Sequence, residues 1–455
     1  MNNDPRLAIR DSSMTSFQLV VVVICVVLNM VDGFDVLAMS FTAPLIAREW
    51  GVDPATLGVL LSAGLVGMGA GALFISPIAD VIGRRAVVIL STIIMSVGMF
   101  ASAATTGVLE LWLCRFATGL GIGGVLASGN TLLAEYAPTR WRDFVISTMV
   151  IGYPVGAIIG GSIFAVLVSL YGWRSAFVFG GLCSTVLVPL IFLYLPESLD
   201  FILSRRRTDT LAQVNVVLRR LGRTALTALP VLPREETDTK AIIGVFEPRF
   251  IKSTILMVLS FFMLMFSFYF VLSWTPKNLV DLGFTVEQGI FALVLLNLGG
   301  IFGGLAFGYF ARWSSARTLA PYMLFALFFV IVAFGMLQSG LIPVMAGAFV
   351  VGFFLMGSMA GLYIIVPYVY PPKVRNTGTG LAIGIGRVGA MVGPYLAGLL
   401  IAAGWDRIAY YSVLALPVLV SAFAVRHVAY FEEWPVPASD EARWPAKRPG
   451  LHGAD

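Results

Sequence analysis

Twelve stretches of this chain are apolar over roughly twenty residues or more, falling near 17–47, 55–79, 86–105, 108–135, 144–170, 174–195, 251–276, 287–311, 318–338, 342–368, 377–403 and 408–430. Each is long enough to cross about 30 Å of hydrocarbon as a helix. In that medium a backbone must satisfy its own hydrogen bonds, which leaves helices or a closed barrel. Continuous apolar runs, rather than alternating ones, select helices. Only 12% of the residues are charged, about half the soluble average, so these runs are not the buried cores of soluble domains. The sequence therefore predicts an all-α polytopic membrane protein with twelve transmembrane helices.

The polar segments divide the chain. An N-terminal tail (1–16) precedes six spans (17–196), a long polar loop covers 197–250, six further spans fill 251–430, and a short Pro-rich tail follows (431–455). On this map 24 basic residues lie in the tails and the loops of one side, against four (Arg48, Arg174, Lys277 and Arg407) on the other. That bias predicts both termini and the central loop in the cytoplasm. It also accounts for the net charge of +5 without nucleic acid. Cys25, Cys114 and Cys183 lie inside apolar spans, and both histidines, His427 and His452, lie at or beyond the last one. Disulfides, a metal centre, a histidine relay and a nucleophile–histidine enzyme are not expected, nor is a cofactor other than protons.

The two sets of six spans resemble each other at an offset of 232–233 residues. "PTRWR" (138–142) matches "PPKVR" (371–375), and "VGAIIGG" (155–161) matches "VGAMVGP" (388–394). Gly67, Gly71, Ala79 and Arg85 fall in register with Gly299, Gly303, Ala311 and Arg317. A parallel repeat of this kind predicts two pseudo-symmetric six-helix bundles about an axis along the membrane normal, with a site between them near the midplane.

Several motifs resemble those of the major facilitator superfamily: "SPIADVIGRR" (76–85), "RFATGLGIGG" (115–124), "EYAP" (135–138) and "PESL" (196–199). Ser76 stands where the superfamily usually has glycine. The second-half copy, "GYFARWSSAR" (308–317), has Arg312 at the usual acidic position. "DGFD" (32–35), "SWTP" (273–276) and "YPPKVRNTGTGLAIGIGRVGAMVGP" (370–394) resemble the aromatic acid:proton symporter branch. The resemblance implies a major facilitator fold, most often monomeric, importing a benzoate- or hydroxybenzoate-type carboxylate with a proton. Uptake of another small organic acid, or drug export, is the alternative. The resemblance also implies that Arg115 pairs with a first-span acid, and that Asp80, Gly83, Arg84 and Arg85 form a gating charge lock between the bundles. Arg142 and Arg375, related by the repeat, are candidates for a similar gating role.

Four charged residues, Asp32, Asp35, Arg115 and Arg387, lie well inside the spans, away from their ends. Asp32 and Asp35 are three apart and so share a helix face. They either accept structural hydrogen bonds from their neighbours or carry the coupling proton, since a carboxyl group in low dielectric favours its neutral form. Arg115 is the expected partner of one of them. Arg387, among Gly384, Gly386 and Gly389, has Pro154 as its repeat-mate, so the shared fold does not require it. A guanidinium can offer a cargo carboxylate two parallel donors, and Arg387 is the candidate for that role; the alternative is a snorkelling or carbonyl-capping arginine. Phe34, Tyr153, Tyr269, Trp274 and Tyr363 are candidates to hold an aromatic ring, and Asn297 to bond a ring hydroxyl. Helix packing and interhelical bonding are the competing roles.

Overall fold

The computed structural model describes residues 5, 9, 14–205, 209–229, 245–248, 250–311, 313–370 and 374–430, with the side chains of residues 142–144, 147 and 376 outside that description. Both tails beyond these limits, much of the central loop, Arg312 and the Arg142 side chain therefore lie outside the described residues. Within them the protein is all-helical. We number the twelve membrane-length helices α1 (Ser16–Trp50), α2 (Pro54–Phe74), α3 (Arg84–Ala104), α4 (Val108–Tyr136), α5 (Arg142–Tyr171) and α6 (Arg174–Tyr194) in the first half. The second half holds α7 (Ile251–Asp281), α8 (Val286–Phe310), α9 (Ala316–Met336), α10 (Leu341–Ile365), α11 (Arg375–Ala402) and α12 (Arg407–Arg426). All twelve spans have the length and hydropathy to cross a membrane.

Local chemistry sets the helix ends. Thr15 and Thr285 each open a helix with a capping box, reciprocated by Gln18 and Gln288. Asp53 caps α2 through the amides of Ala55 and Thr56, and those bonds, with one from the Thr56 hydroxyl, hold its carboxyl below the usual range. The second span was expected to continue to residue 79 but leaves regular helix at Phe74. Pro77, which has no amide to donate, sits in a 3-10 turn over Ser76–Ile78 before a four-residue helix, Ala79–Ile82.

The internal repeat is physical as well as sequential. Cβ atoms at Gly67 and Gly71 of α2 would lie 2.1 and 2.2 Å from the carbonyl oxygens of Phe116 and Leu120 on α4. In the second half, Gly299 and Gly303 of α8 stand in the same relation to Phe349 and Phe353 on α10, at 2.0 and 1.9 Å. Gly156 of α5 rests on Met30 of α1, and Gly389 of α11 rests on Phe262 of α7. Every pair recurs 232–233 positions later. Each half is thus held by the same backbone-to-backbone contacts, for which only glycine has room.

The halves join mainly through α2 with α11, α5 with α8 and α1 with α7. The atomic contacts lie toward the face remote from the chain ends. Gly58 and Gly398 cross closely, the Ser62 hydroxyl donates to the Met391 carbonyl at 2.9 Å, and Gly161 faces Val294. On the α11 turns nearer the tail face, Gly380 and Gly384 are exposed and border open space. The seam is closed on the far face, and on the near one α11 borders open space at Gly380 and Gly384.

Candidate functional site

Asp32 and Asp35 sit midway along α1, turned inward, with 1% and 0% of their surface exposed. None of their four carboxylate oxygens has a hydrogen-bond partner. Their surroundings differ. Asp35 points at α6, where a Cβ at Gly180 would come within 2.6 Å of its Oδ1. Asp32 is within electrostatic reach of Asp35 and of Tyr153 on α5. Buried carboxylates with no partner are rare, because an uncompensated charge there costs several kcal/mol. Exchange of a proton removes that charge.

Arg115 is also sealed, 1% exposed, against this pair. The expected ion pair is not formed. Its Nη2 donates instead to the main-chain carbonyl of Asp35 at 2.6 Å, its Nη1 reaches the Met99 sulfur at 2.9 Å, and the guanidinium lies 5.5 Å from the Phe177 ring centre. Arg115 feels the Asp35 charge at longer range. The reason is geometric. The carbonyl of Asp35 faces α4 while its carboxylate is drawn toward α6, so the planar fork meets the backbone first. Met99 is a partner that sequence reasoning missed, and an apolar thioether in a span gives no signal for it.

A second cluster spans the two halves. Arg387 on α11 acts electrostatically on the hydroxyls of Tyr153 on α5, Tyr269 on α7 and Tyr363 on α10. The glycines beside Arg387 explain its half-buried position. Gly386 and Gly389 press on α7, where a Cβ would meet Phe261 and the Phe262 carbonyl, whereas Gly384 borders open space. Arg387 therefore stands at the edge between a packed seam and a void. Tyr363 is 41% exposed. Its ring packs edge-on against Phe261 at 5.4 Å. Of the residues expected at the cargo site, these four come together.

The other three do not face the void. Trp274, expected to hold a ring, is 1% exposed and donates its indole N–H to the Pro394 carbonyl at 2.9 Å, tying α7 to α11 at its internal proline. Phe34 is buried at 3%, edge-on to Phe179 and stacked on Phe41. Its helix neighbour Gly33 lets α5 approach the α1 backbone. Asn297 is sealed at 0%; its amide donates to the Leu293 carbonyl and its oxygen is unpaired. Trp274 and Phe34 are turned against neighbouring helices, whereas Asn297 bonds back to its own.

The tail-face motif also departs from expectation. Arg84 lies 3.5 Å from Asp80, 3.6 Å from Glu135 and 3.1 Å from the Ser198 hydroxyl, which itself donates to Glu135. The amides of Arg85 and Ser198 both donate to Glu197. Gly83 has φ 106°, a conformation open to glycine, and a Cβ there would strike the Glu197 carboxylate at 2.2 Å. These partners lie in the first half and at the start of the central loop, so among the described residues the expected lock between bundles is not engaged. Among the described residues Arg375 donates to the Tyr370 carbonyl at 3.4 Å, within its own half. Glu135, Glu197 and Ser198 were missed as participants, although "EYAP" and "PESL" marked their place.

The Major Facilitator Superfamily model matches residues 25–342. The chain is 30% identical to the 4-hydroxybenzoate transporter PcaK of Acinetobacter baylyi, over 93% of each chain. It is 33% identical to a gallate transporter of Pseudomonas putida, over 90% of this chain and 91% of that one. It is 28% identical to the benzoate transport protein of Acinetobacter baylyi, over 94% of each. Among solved structures, the xylose transporter XylE from E. coli in an inward-open conformation superposes with a TM-score of 0.72 at 16% identity, covering 94% of this chain and all of that one.

Proposed function

The chain belongs to the major facilitator superfamily, as a multi-pass membrane transporter of the aromatic-acid type and not an enzyme, and from that premise we propose that it imports a benzoate- or hydroxybenzoate-class carboxylate together with a proton. The observation that carries this reading is the pairing of two sites in one interior: unpartnered carboxylates on α1, and a guanidinium on α11 within electrostatic reach of tyrosines on α5, α7 and α10. Arg387 receives the cargo carboxylate. Asp32 and Asp35 load the proton, with Arg115 fixing the backbone between them and α4.

Charge bookkeeping favours coupling. Asp32 and Asp35 balance Arg115 and Arg387 within the membrane. An aromatic carboxylate, ionised at neutral pH with a pKa of about 4, adds one negative charge, and one proton taken up restores the balance. Cargo and proton together then cost least to hold between the halves.

Transport proceeds by alternating access, the halves rocking about the midplane site. The protein sits in the bacterial inner membrane with both termini cytoplasmic, so the closed far face is external and the open space beside α11 faces the cytoplasm. It acts as a monomer with no cofactor besides protons. The test is uptake of labelled benzoate and hydroxybenzoates into proteoliposomes under an inward proton gradient, against vesicles lacking the protein. That control is needed because neutral aromatic acids cross lipid unaided. Uptake above it that collapses with a protonophore is expected. Equal uptake with and without the protein overturns the proposal.

A further inference from the structure

Met99 of α3 is fully buried and touches both Arg115 and the surroundings of the Asp35 carboxylate. Its sulfur accepts from Arg115 Nη1 at 2.9 Å. Its methyl carbon and Asp35 Oδ1 border one point on α6, the place a Cβ at Gly180 would take, at 2.3 and 2.6 Å. Met99 therefore stands with one end on the guanidinium and the other beside the carboxylate. Gly98 sets it there. A Cβ at that position would strike Thr118 Oγ1 and lie 3.2 Å from the Cys114 carbonyl, so α3 rests tightly on α4 one residue from the thioether. Besides Arg115, the titratable groups facing Asp35 are Asp32 on its own helix, which also faces Tyr153 of α5, and Cys183 on α6.

We infer that Met99 is a positioning residue that holds Arg115 off the Asp35 carboxylate, leaving that carboxylate free to load and release a proton. The inference rests on the proposed function in taking Asp35 as a proton carrier. A guanidinium bonds a carboxylate more strongly than a neutral acceptor. A thioether is among the weakest acceptors a side chain offers. Here it takes one arm of the guanidinium all the same, while the Asp35 carbonyl takes the other at 2.6 Å. The Asp35 carboxylate, close by, receives neither. A permanent ion pair would keep it charged to much lower pH and stop it cycling. The thioether occupies the guanidinium without adding a charge, and as an apolar, adaptable group it lies equally well beside the neutral acid.

The test is an infrared pH titration of the protonated carboxyl band in the purified full-length protein, assigned to Asp35 by its loss in Asp35→Asn, and repeated with Met99→Leu. Leucine is close to methionine in volume and usually tolerated in its place, but it offers no acceptor. Nη1 is then expected to turn to the carboxylate, moving the midpoint of the Asp35 titration toward acid by about one unit or more. The pH profile of proton-driven hydroxybenzoate uptake in proteoliposomes is expected to move the same way. Met99→Ile is measured alongside, so that one folded variant suffices. A side chain that only fills space would lower the unfolding midpoint and leave the titration in place. A titration unmoved, or displaced toward alkali, in a folded variant therefore overturns the inference and leaves the proposed function intact. No specific uptake of any aromatic acid by the unaltered protein removes that function instead, and the infrared titration still decides whether Met99 holds Arg115 off Asp35.

Discussion

At the scale of single residues, the two aspartates stand out because burial and isolation coincide. A permanently charged Asp35 at 0% exposure would need a compensating donor, and Arg115 gives its protons to the Asp35 carbonyl and to Met99 instead. A group that alternates between charged and neutral forms fits this setting better than a fixed structural ion. The consequence for Asp35→Asn is specific. An amide cannot release a proton, so accumulation against a gradient should be lost while exchange of labelled for unlabelled cargo across the membrane continues. Counterflow and net uptake measured side by side separate the two, and full accumulation by the variant would exclude Asp35 from coupling. The sequence made these residues legible because charge in an apolar span is costly enough to need a reason. It did not reveal that Arg115 binds a backbone carbonyl, since that depends on which way a peptide plane faces.

At the scale of helices, contacts made by glycine decide where elements touch. Leucine at Gly67 or Gly299 would thrust side-chain atoms into the Phe116 or Phe349 carbonyl. Each substitution should cost about 1–3 kcal/mol or more by overpacking, visible as a lower thermal-unfolding midpoint in detergent and a smaller folded yield. Gly304, with nothing within 4 Å, should accept alanine with no loss. Equal tolerance at Gly67 and Gly304 would contradict the packing account. Trp274→Phe probes another element contact, the indole bond to Pro394. Loss of that bond should lower stability by about 1 kcal/mol and leave the cargo KM nearly unchanged, whereas a ring-holding tryptophan would raise KM. The glycine repeat was readable because its spacing survives in both halves. The roles of Trp274 and Phe34 were not, because an aromatic side chain within an apolar run reads the same whether its helix turns it to a cavity or to a neighbour.

At the scale of the whole molecule, the twelve-helix architecture followed from hydrocarbon thickness and backbone hydrogen bonding, which leave a chain like this few alternatives. The gating network was less legible. Residues 80–85 identify a junction, but whether Arg84 reaches across to the other half depends on how the halves are rocked, and here it reaches Glu135 in its own half and Ser198 at the start of the central loop. Closure of the far face rests on the crossing at Gly58 and Gly398, where a Cβ on each lies 3.2 and 3.0 Å from the other's Cα. A Cβ at Gly398 would also lie 2.5 Å from the Pro54 carbonyl, so Gly398→Leu should pry the far face apart, seen as a lower thermal-unfolding midpoint in detergent; an unchanged midpoint would contradict this account of the closure. The coupling of cargo to proton is the central claim, and the pH of the medium reports it most directly. When an aromatic carboxylate is added to lightly buffered proteoliposomes, the account predicts external alkalinisation in step with labelled uptake, beyond that of Asp35→Asn vesicles. Labelled cargo entering through the protein with no proton movement beyond that control would contradict it.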